Sequence, residues 1–303
     1  MEEASNFLAT KRKKYAVVTG ANRGMGFETC KQLASNGVVV VLTARDEKKG
    51  IEALDKFKGS ALSEYVIFHQ LDVADTSSVA SLADFIRNQF GKLDILVNNA
   101  AITGVITNTD AVRASTVNGE GANIKWSEVT AQTYDLAKVC LETNYYGAKR
   151  TTEALIPLLQ LSDSARIVNV SSSSGKLKFV PNEWAKGVFL DDESLSEERI
   201  DEVLSKFLND FKEGEIEAKG WPPFLSAYAL SKAAMNASTR ILAKRHPNFI
   251  VNSVCPGYVK TDMNCQDGIL TVEEGSQNIV RLALLPNEGP SGLFFSQKQV
   301  SPS

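Results

Sequence analysis

The sequence predicts a doubly wound α/β fold, a single parallel β-sheet with helices on both faces. Three observations predict it. Apolar runs rich in valine and isoleucine recur at Tyr15–Thr19, Val38–Thr43, Tyr65–Leu71, Leu93–Asn98, Arg166–Ser171 and Ile250–Val254. Most are separated by amphipathic segments of helix length. A glycine-rich turn follows the first run and leads into a helical stretch, Phe27–Ser35. Continuous apolar strands are those buried on both faces, and strands that alternate with helices pair in parallel.

With 303 residues, 43% of them hydrophobic and 23% charged, the chain suits one large domain with insertions, spanning 1–303. Two segments break the rhythm. Residues from about 103 to 130 contain Asn108-Thr109-Asp110, Ser115-Thr116 and Asn118-Gly119-Glu120-Gly121, and read as a long polar loop after the fourth strand. A second insertion, from about 176 to 225, carries a helix. Ser194 and Glu197 have the spacing of a capping box, and Ile200, Val203, Leu204, Phe207, Leu208 and Phe211 follow on one helical face. That face needs cover, which predicts a helical lid.

Composition excludes several classes. A net charge of -3 gives no electrostatic reason to expect nucleic acid or an anionic membrane as partner, so a small molecule is the expected ligand. The start is acidic and lacks an apolar core, unlike a secretory signal. The basic run Lys11–Lys14 reads as a solvated lead-in to the first strand, and no stretch approaches the ~18 apolar residues of a membrane span. A cytosolic protein is expected. Cys30, Cys140, Cys255 and Cys265 are scattered, with no CxxC spacing. Only His69 and His246 are present, which argues against a zinc alcohol dehydrogenase and a Ser-His-Asp hydrolase.

The first strand runs directly into Thr19-Gly20-Ala21-Asn22-Arg23-Gly24-Met25-Gly26. Between a buried strand and a helix, such glycines let the backbone turn tightly and let a pyrophosphate approach the helix N-terminus. The second strand ends Thr43-Ala44-Arg45-Asp46. Arg45, with Arg23, offers guanidinium groups suited to a 2′-phosphate and favours NADPH. In the alternative, Arg45 points to solvent and Asp46 holds the ribose, but Asp46 also stands where it can cap a helix beginning at Glu47. Asp72, followed by Val73, either holds the adenine or caps the next helix. Asn98, Asn99, Ala100 and Ala101 close the fourth strand, where buried asparagines also serve to satisfy backbone groups.

Tyr228 and Lys232 stand four apart in a helix-favouring stretch and share one face. A nearby ammonium is expected to draw the tyrosine pKa down towards working pH, making Tyr228 a plausible proton donor to a carbonyl. Ser172 follows the Arg166–Ser171 run at the carboxyl edge of the sheet, where it can bond a substrate oxygen, with Ser171, Ser173 and Ser174 as neighbours that resemble it.

Taken in order, TGxxxGxG, Asn98-Asn99-Ala100, Asn144, the Val168-Asn169-Val170-Ser171-Ser172 strand end, Tyr228xxxLys232 and Cys255-Pro256-Gly257 resemble the short-chain dehydrogenase/reductase family over about residues 15 to 262. The resemblance implies a Rossmann fold binding a nicotinamide dinucleotide, which Arg45 makes NADPH. It implies Ser172 as the catalytic serine, three before Gly175, and Asn144 holding a water that links Lys232 to solvent. Lys232 would also bond the nicotinamide ribose, and Pro256, Gly257, Val259 and Thr261 would lie over the nicotinamide. Ala101 departs from the glycine usual there. Fifty-five residues separate Ser172 from Tyr228 where most members have about a dozen, so the insertion is expected to cover the helices that other members use for assembly and to leave a monomer. Asn182–Gly187, Phe68–Val73 and Gly289–Phe295 are similar to the plant menthone-reductase branch of the family, whose long insertion also occurs in alkaloid and animal carbonyl reductases. That similarity implies reduction of a bulky hydrophobic cyclic ketone, menthone to neomenthol foremost. Broad carbonyl reduction is the alternative, and a nucleotide-binding regulatory protein the non-enzymatic one. Enone reductases of this lineage replace the tyrosine, which Tyr228 retains.

Overall fold

A computed structural model describes residues 13–112 and 126–302. Lys11, Arg12, the start of the chain, Ser115-Thr116 and Asn118-Gly119-Glu120-Gly121 lie outside the described residues. The apolar runs become β1 (Tyr15–Val18), β2 (Val39–Ala44), β3 (Val66–Gln70), β4 (Ile95–Asn98), β7 (Arg166–Val170) and β8 (Ile250–Cys255). β2, β4, β7 and β8 are buried along their whole length, as strands covered on both faces must be. The C-terminal β9 (Phe294–Ser296) and β10 (Gln299–Val300) are too short to read as strands from the sequence. The sheet runs β10-β9-β8-β7-β4-β1-β2-β3, parallel except for the antiparallel β9–β10 pair. Strand order reverses between β1 and β4, so a crevice opens at their carboxyl ends, where Thr19 and Asn99 stand.

Helices α1 (Gly24–Ser35), α2 (Glu47–Asp55) and α10 (Val272–Ala283) cover one face, with Leu33, Ala53 and Ile279 packed on Val18, Val40 and Val97. α3 (Thr76–Phe90), α6 (Gly147–Leu159) and α9 (Ser226–Arg245) cover the other, where Leu82, Leu155 and Leu242 meet Val17, Leu96 and Ile167. α1 begins three residues earlier than the periodicity suggests because it starts inside the glycine turn. As read from sequence, Asp46 caps α2, accepting from the Lys49 amide at 3.0 Å.

The first insertion is less irregular than its sequence suggests. β5 (Ile106–Thr107) pairs antiparallel with β6 (Thr130–Ala131), closing its base, and the one-turn α4 (Trp126–Val129) precedes β6. α5 (Tyr134–Leu141) follows and runs through a π-helical turn, Glu142–Tyr146, into α6. The second insertion supplies α7 (Glu183–Leu190) and α8 (Glu197–Lys212). α8 is capped by Ser196, which accepts from the Arg199 amide at 3.3 Å; Ser194 instead donates to Asp191 in the preceding turn at 2.5 Å. The sequence pattern therefore places the cap two residues early. Ile200, Val203, Leu204 and Phe207 form a third core with Phe189, Trp221, Leu141 and Leu230, so α8 lies over α5 and α9. Trp221 is held there by its indole N–H, which donates to Asp210 at 2.8 Å. No helix among the described residues is long and apolar enough to cross a membrane.

The lid core has an energetic signature. Phe207 is fully buried, edge-on to Phe211 and Trp221 at 5.7 and 5.5 Å. Phe207→Ala is expected to destabilise the chain by about 3–5 kcal/mol in denaturant titration. An unchanged midpoint would mean that the lid does not unfold with the body.

Candidate active site

The crevice at the β1–β4 switch is lined by the glycine turn. Gly20 has φ +61, and a Cβ there would lie 2.8 Å from the Ala100 Cα; at Gly26 it would lie 2.5 Å from Asn99 Nδ2 and 2.6 Å from the Gly20 carbonyl. Only glycine permits that approach. Asn99 and Thr19 fasten the turn to β4. The Asn99 amide side chain donates to the Thr19 and Gly20 carbonyls at 2.8 and 3.0 Å, while the Asn99 and Ala100 amides donate to the Thr19 hydroxyl, each at 2.9 Å. On the other side, Ser276 of α10 donates to the Met25 carbonyl at 3.1 Å. Arg23 stands at the N-cap of α1 without a side-chain cap, so the first amides of a twelve-residue helix face the crevice beside Asn22 and Gly24, whose missing side chain leaves open space. This cradle fits a dinucleotide pyrophosphate.

The two arginines differ. Arg23 pairs with Asp262 at 2.8 Å, a carboxylate 239 residues away, in an exposed ion pair of the kind worth little. Arg45 is exposed at the end of β2, and its guanidinium has no ion-pair partner among the described residues. A cavity of about 650 Å³ opens between Arg45, His69, Asp72 and Ser78. Asp72 accepts from the Ala74 amide at 2.9 Å and caps nothing; Asp75 caps α3. Val73 is buried, its carbonyl held by Arg150 at 2.6 Å. The Asn98 side chain points into the fold, donating to Thr152 and Asn169 at 2.9 and 2.8 Å, so it braces β4 against β7 and α6 instead of facing a cofactor. Asn99, the other half of the doublet, serves the crevice, and strand alternation is the signal that separates them. After β8, Pro256 accepts from Asn278 at 3.1 Å, while Asn264 donates to the Val259 carbonyl at 3.0 Å and accepts from the Thr261 amide at 3.0 Å. Gly257 turns this flap at φ +103. Asn264 and Asn278 escape a reading of the sequence, where an isolated asparagine carries no pattern.

Tyr228 and Lys232 lie in the first two turns of α9, with the Lys232 ammonium nitrogen 5.6 Å from the Tyr228 ring centre. The turn carrying Ser172 is pressed onto them, since a Cβ at Gly175 would sit 2.7 Å from the Lys232 backbone. Geometry separates the four serines. Ser171 is buried on the Lys232 carbonyl at 3.3 Å and Ser173 lies 3.1 Å from the Cys255 sulfur, whereas Ser172 stands by Tyr228 and favours its ionised form. Ser172 also accepts from the Ser174 amide at 3.1 Å, which fixes its rotamer. The Asn144 side chain, fully buried in the π-helical turn, accepts from the Ile102 amide at 2.8 Å and donates to the Ile102 carbonyl and to Ser231 at 2.9 and 3.0 Å. Its amide is therefore engaged with protein, tying the loop after β4 to the helix that carries Tyr228 and Lys232.

Electrostatics correct one expectation. Tyr228 is half-buried, and burial pushes its pKa up to about 12 against the opposing effect of Ser172. Lys232 does not draw it down, because burial lowers the pKa of the lysine itself to about 8 and its ammonium is held on the Val170 carbonyl at 2.7 Å. At neutral pH the site thus presents a protonated phenol beside an oriented hydroxyl, with a cation beneath. That set can polarise a carbonyl oxygen and deliver a proton to it.

The buried lysine also leaves a trace in stability. Lys232 ionises near 8 folded and near 10.5 unfolded, so between those values the unfolded chain holds one more proton and stability rises with pH. Below pH 8 the burial costs about 3 kcal/mol. Lys232→Met is expected to flatten that rise in denaturant titrations between about pH 8 and 10, and equal slopes for the two proteins would show that Lys232 ionises normally.

Residues 14–183 match the short chain dehydrogenase family. The chain is 59% identical to a (+)-neomenthol dehydrogenase of Arabidopsis thaliana, over 97% of this chain and 99% of the relative. It is 34% identical to an NADPH carbonyl reductase 1 of Bos taurus, over 94% and 96% of the two chains. The solved structure of salutaridine reductase from Papaver somniferum superimposes with a TM-score of 0.89 at 53% identity, covering 93% of this chain and 99% of that one. The crevice, the Ser172–Tyr228–Lys232 cluster and these likenesses agree, and the chain is an oxidoreductase belonging to the short-chain dehydrogenase/reductase family.

Proposed function

We propose that this chain is an NADPH-dependent reductase of bulky hydrophobic cyclic ketones, with menthone the leading substrate and neomenthol the product. The placing of Ser172 beside a Tyr228 held as the neutral phenol carries the reaction class, because it sets an acid and a polarising group on one carbonyl oxygen. The neomenthol dehydrogenase likeness supports the substrate. The structural likeness to salutaridine reductase favours an alkaloid ketone as the second reading. Broad carbonyl reduction is supported by the more distant carbonyl reductase.

The cofactor, when bound, supplies hydride to the carbonyl carbon. Tyr228 donates the proton to the oxygen, and Ser172 shares the developing negative charge. Lys232 sits below the ring as the cation that stabilises the phenolate left behind. Gly20, Asn22, Gly24, Met25 and Gly26 hold the pyrophosphate, Asp72 and Val73 border the adenine, and Ala100 lines the ribose side. Pro256, Gly257, Val259 and Thr261 form the cover over the nicotinamide end. The exposed Arg45 guanidinium takes the 2′-phosphate. With α8 lying over α5 and α9, the chain acts as a monomer, in the cytosol, on a small hydrophobic ketone.

NADPH oxidation by purified protein tests this with menthone, a bulky alkaloid ketone, an aromatic aldehyde and an enone side by side. Selective turnover of menthone to neomenthol is expected; no turnover of any of them would sink the reading. Tyr228→Phe should lower kcat by about 10²–10⁴ while leaving NADPH affinity intact. In the alcohol-oxidising direction Tyr228 has to start ionised, so that rate should keep climbing with pH towards the value near 12 at which Tyr228 ionises, and the reduction rate should not. Arg45→Asp should weaken NADPH by about 10- to 100-fold, the loss of charge-assisted bonds to a phosphate, and leave NADH unharmed; equal loss for both cofactors would remove Arg45 from the phosphate site.

A further inference from the structure

The catalytic helix begins in an unusual way. Its N-cap, Leu225, has φ 49 and ψ 39, the left-handed region that disfavours a branched side chain, and it offers no side-chain cap. The first helical residue, Ser226, is fully buried, so its amide cannot turn to water. The amide is met from elsewhere in the chain. Gln132, 94 residues earlier and just after β6, accepts from the Ser226 amide at 2.7 Å. The same side chain donates to the Pro223 carbonyl at 3.3 Å. Ser226 in turn donates its hydroxyl to the Pro222 carbonyl. Upstream, Trp221 is locked into the lid core by Asp210, and Pro222-Pro223 stiffen the short link between lid and helix.

Tyr228 is the third residue of this helix. Its hydroxyl position relative to Ser172 depends on where the first turn starts and which way it points. A strained cap persists only where its surroundings over-determine it, and here the surroundings are one glutamine amide and a diproline. We propose that Gln132 is a positioning residue for Tyr228: its side chain substitutes for the missing helix cap and ties the first insertion to the lid, setting the first turn of α9 against Ser172. The inference rests on the reductase reading for its kinetic consequence but not for its geometry.

Two variants test it in the full-length protein with NADPH and the ketone it turns over fastest. Gln132→Ala removes both bonds. Gln132→Glu keeps an acceptor for the Ser226 amide and places a favourable charge at a helix N-terminus. Gln132→Ala is expected to lower kcat by about 10- to 100-fold, as a displacement near 1 Å would, with KM and NADPH affinity within about twofold; Gln132→Glu should restore most of kcat. A variant that loses thermal stability but keeps wild-type kcat, or loses only KM, overturns the proposal. Crystal structures of wild type and Gln132→Ala give a readout independent of activity. The Tyr228 hydroxyl should move relative to Ser172 by about 1 Å in the variant, and an unmoved hydroxyl overturns the proposal whatever the kinetics. A wild-type protein idle on every carbonyl together with a displaced tyrosine would instead sink the reductase reading and leave the role of Gln132 standing.

Discussion

Lys232 is 1% exposed and its ammonium donates to the Val170 carbonyl at the carboxyl end of β7, and much of the site follows from having to keep that charge in the interior. A buried cation needs close oxygen partners, which brings α9 hard against the strand end. The approach is feasible because Gly175 has no side chain where the Lys232 backbone passes. With helix and turn so close, Ser172 falls beside Tyr228, which shares a helix face with the lysine. The low-dielectric setting that depresses the lysine pKa raises that of the tyrosine, so one constraint moves both groups in opposite directions.

A second polar system stiffens the sheet below. Thr152, Asn98, Asn169 and Thr239 are linked by side-chain hydrogen bonds across α6, β4, β7 and α9. It joins β4, whose following residue Asn99 fastens the glycine turn, to the strand that leads into Ser172. The crevice and the catalytic cluster therefore share one rigid base, which is what hydride transfer between two separately bound molecules requires.

Much of this was legible in the sequence because it is local. Continuous valine runs gave the parallel strands, glycine spacing gave the cradle, and the four-residue interval placed Tyr228 and Lys232 on one face. What escaped depends on contacts between distant segments. Nothing near Arg23 signals that Asp262 will claim it, and nothing near Gln132 marks it as the partner of Ser226. The misplaced cap of α8 has the same origin: Ser194 fits the pattern, but Asp191 folds the preceding turn onto it and passes the cap to Ser196. The direction of the tyrosine pKa shift is missed because sequence reveals a neighbouring charge but not the burial that outweighs it.

The lid's third core has a consequence for how such a chain can change. Phe189, Phe207 and Trp221 pack among themselves and on the far sides of α5 and α9, away from the sheet core beneath the cofactor crevice. Stability of the insertion is thus lodged in residues separate from those that hold the cofactor. Side chains on its outer surface, Phe179, Trp184 and Leu190 among them, can drift without loosening either core. Such an arrangement lets the exposed side chains of the insertion vary while the cluster of Ser172, Tyr228 and Lys232 keeps its setting.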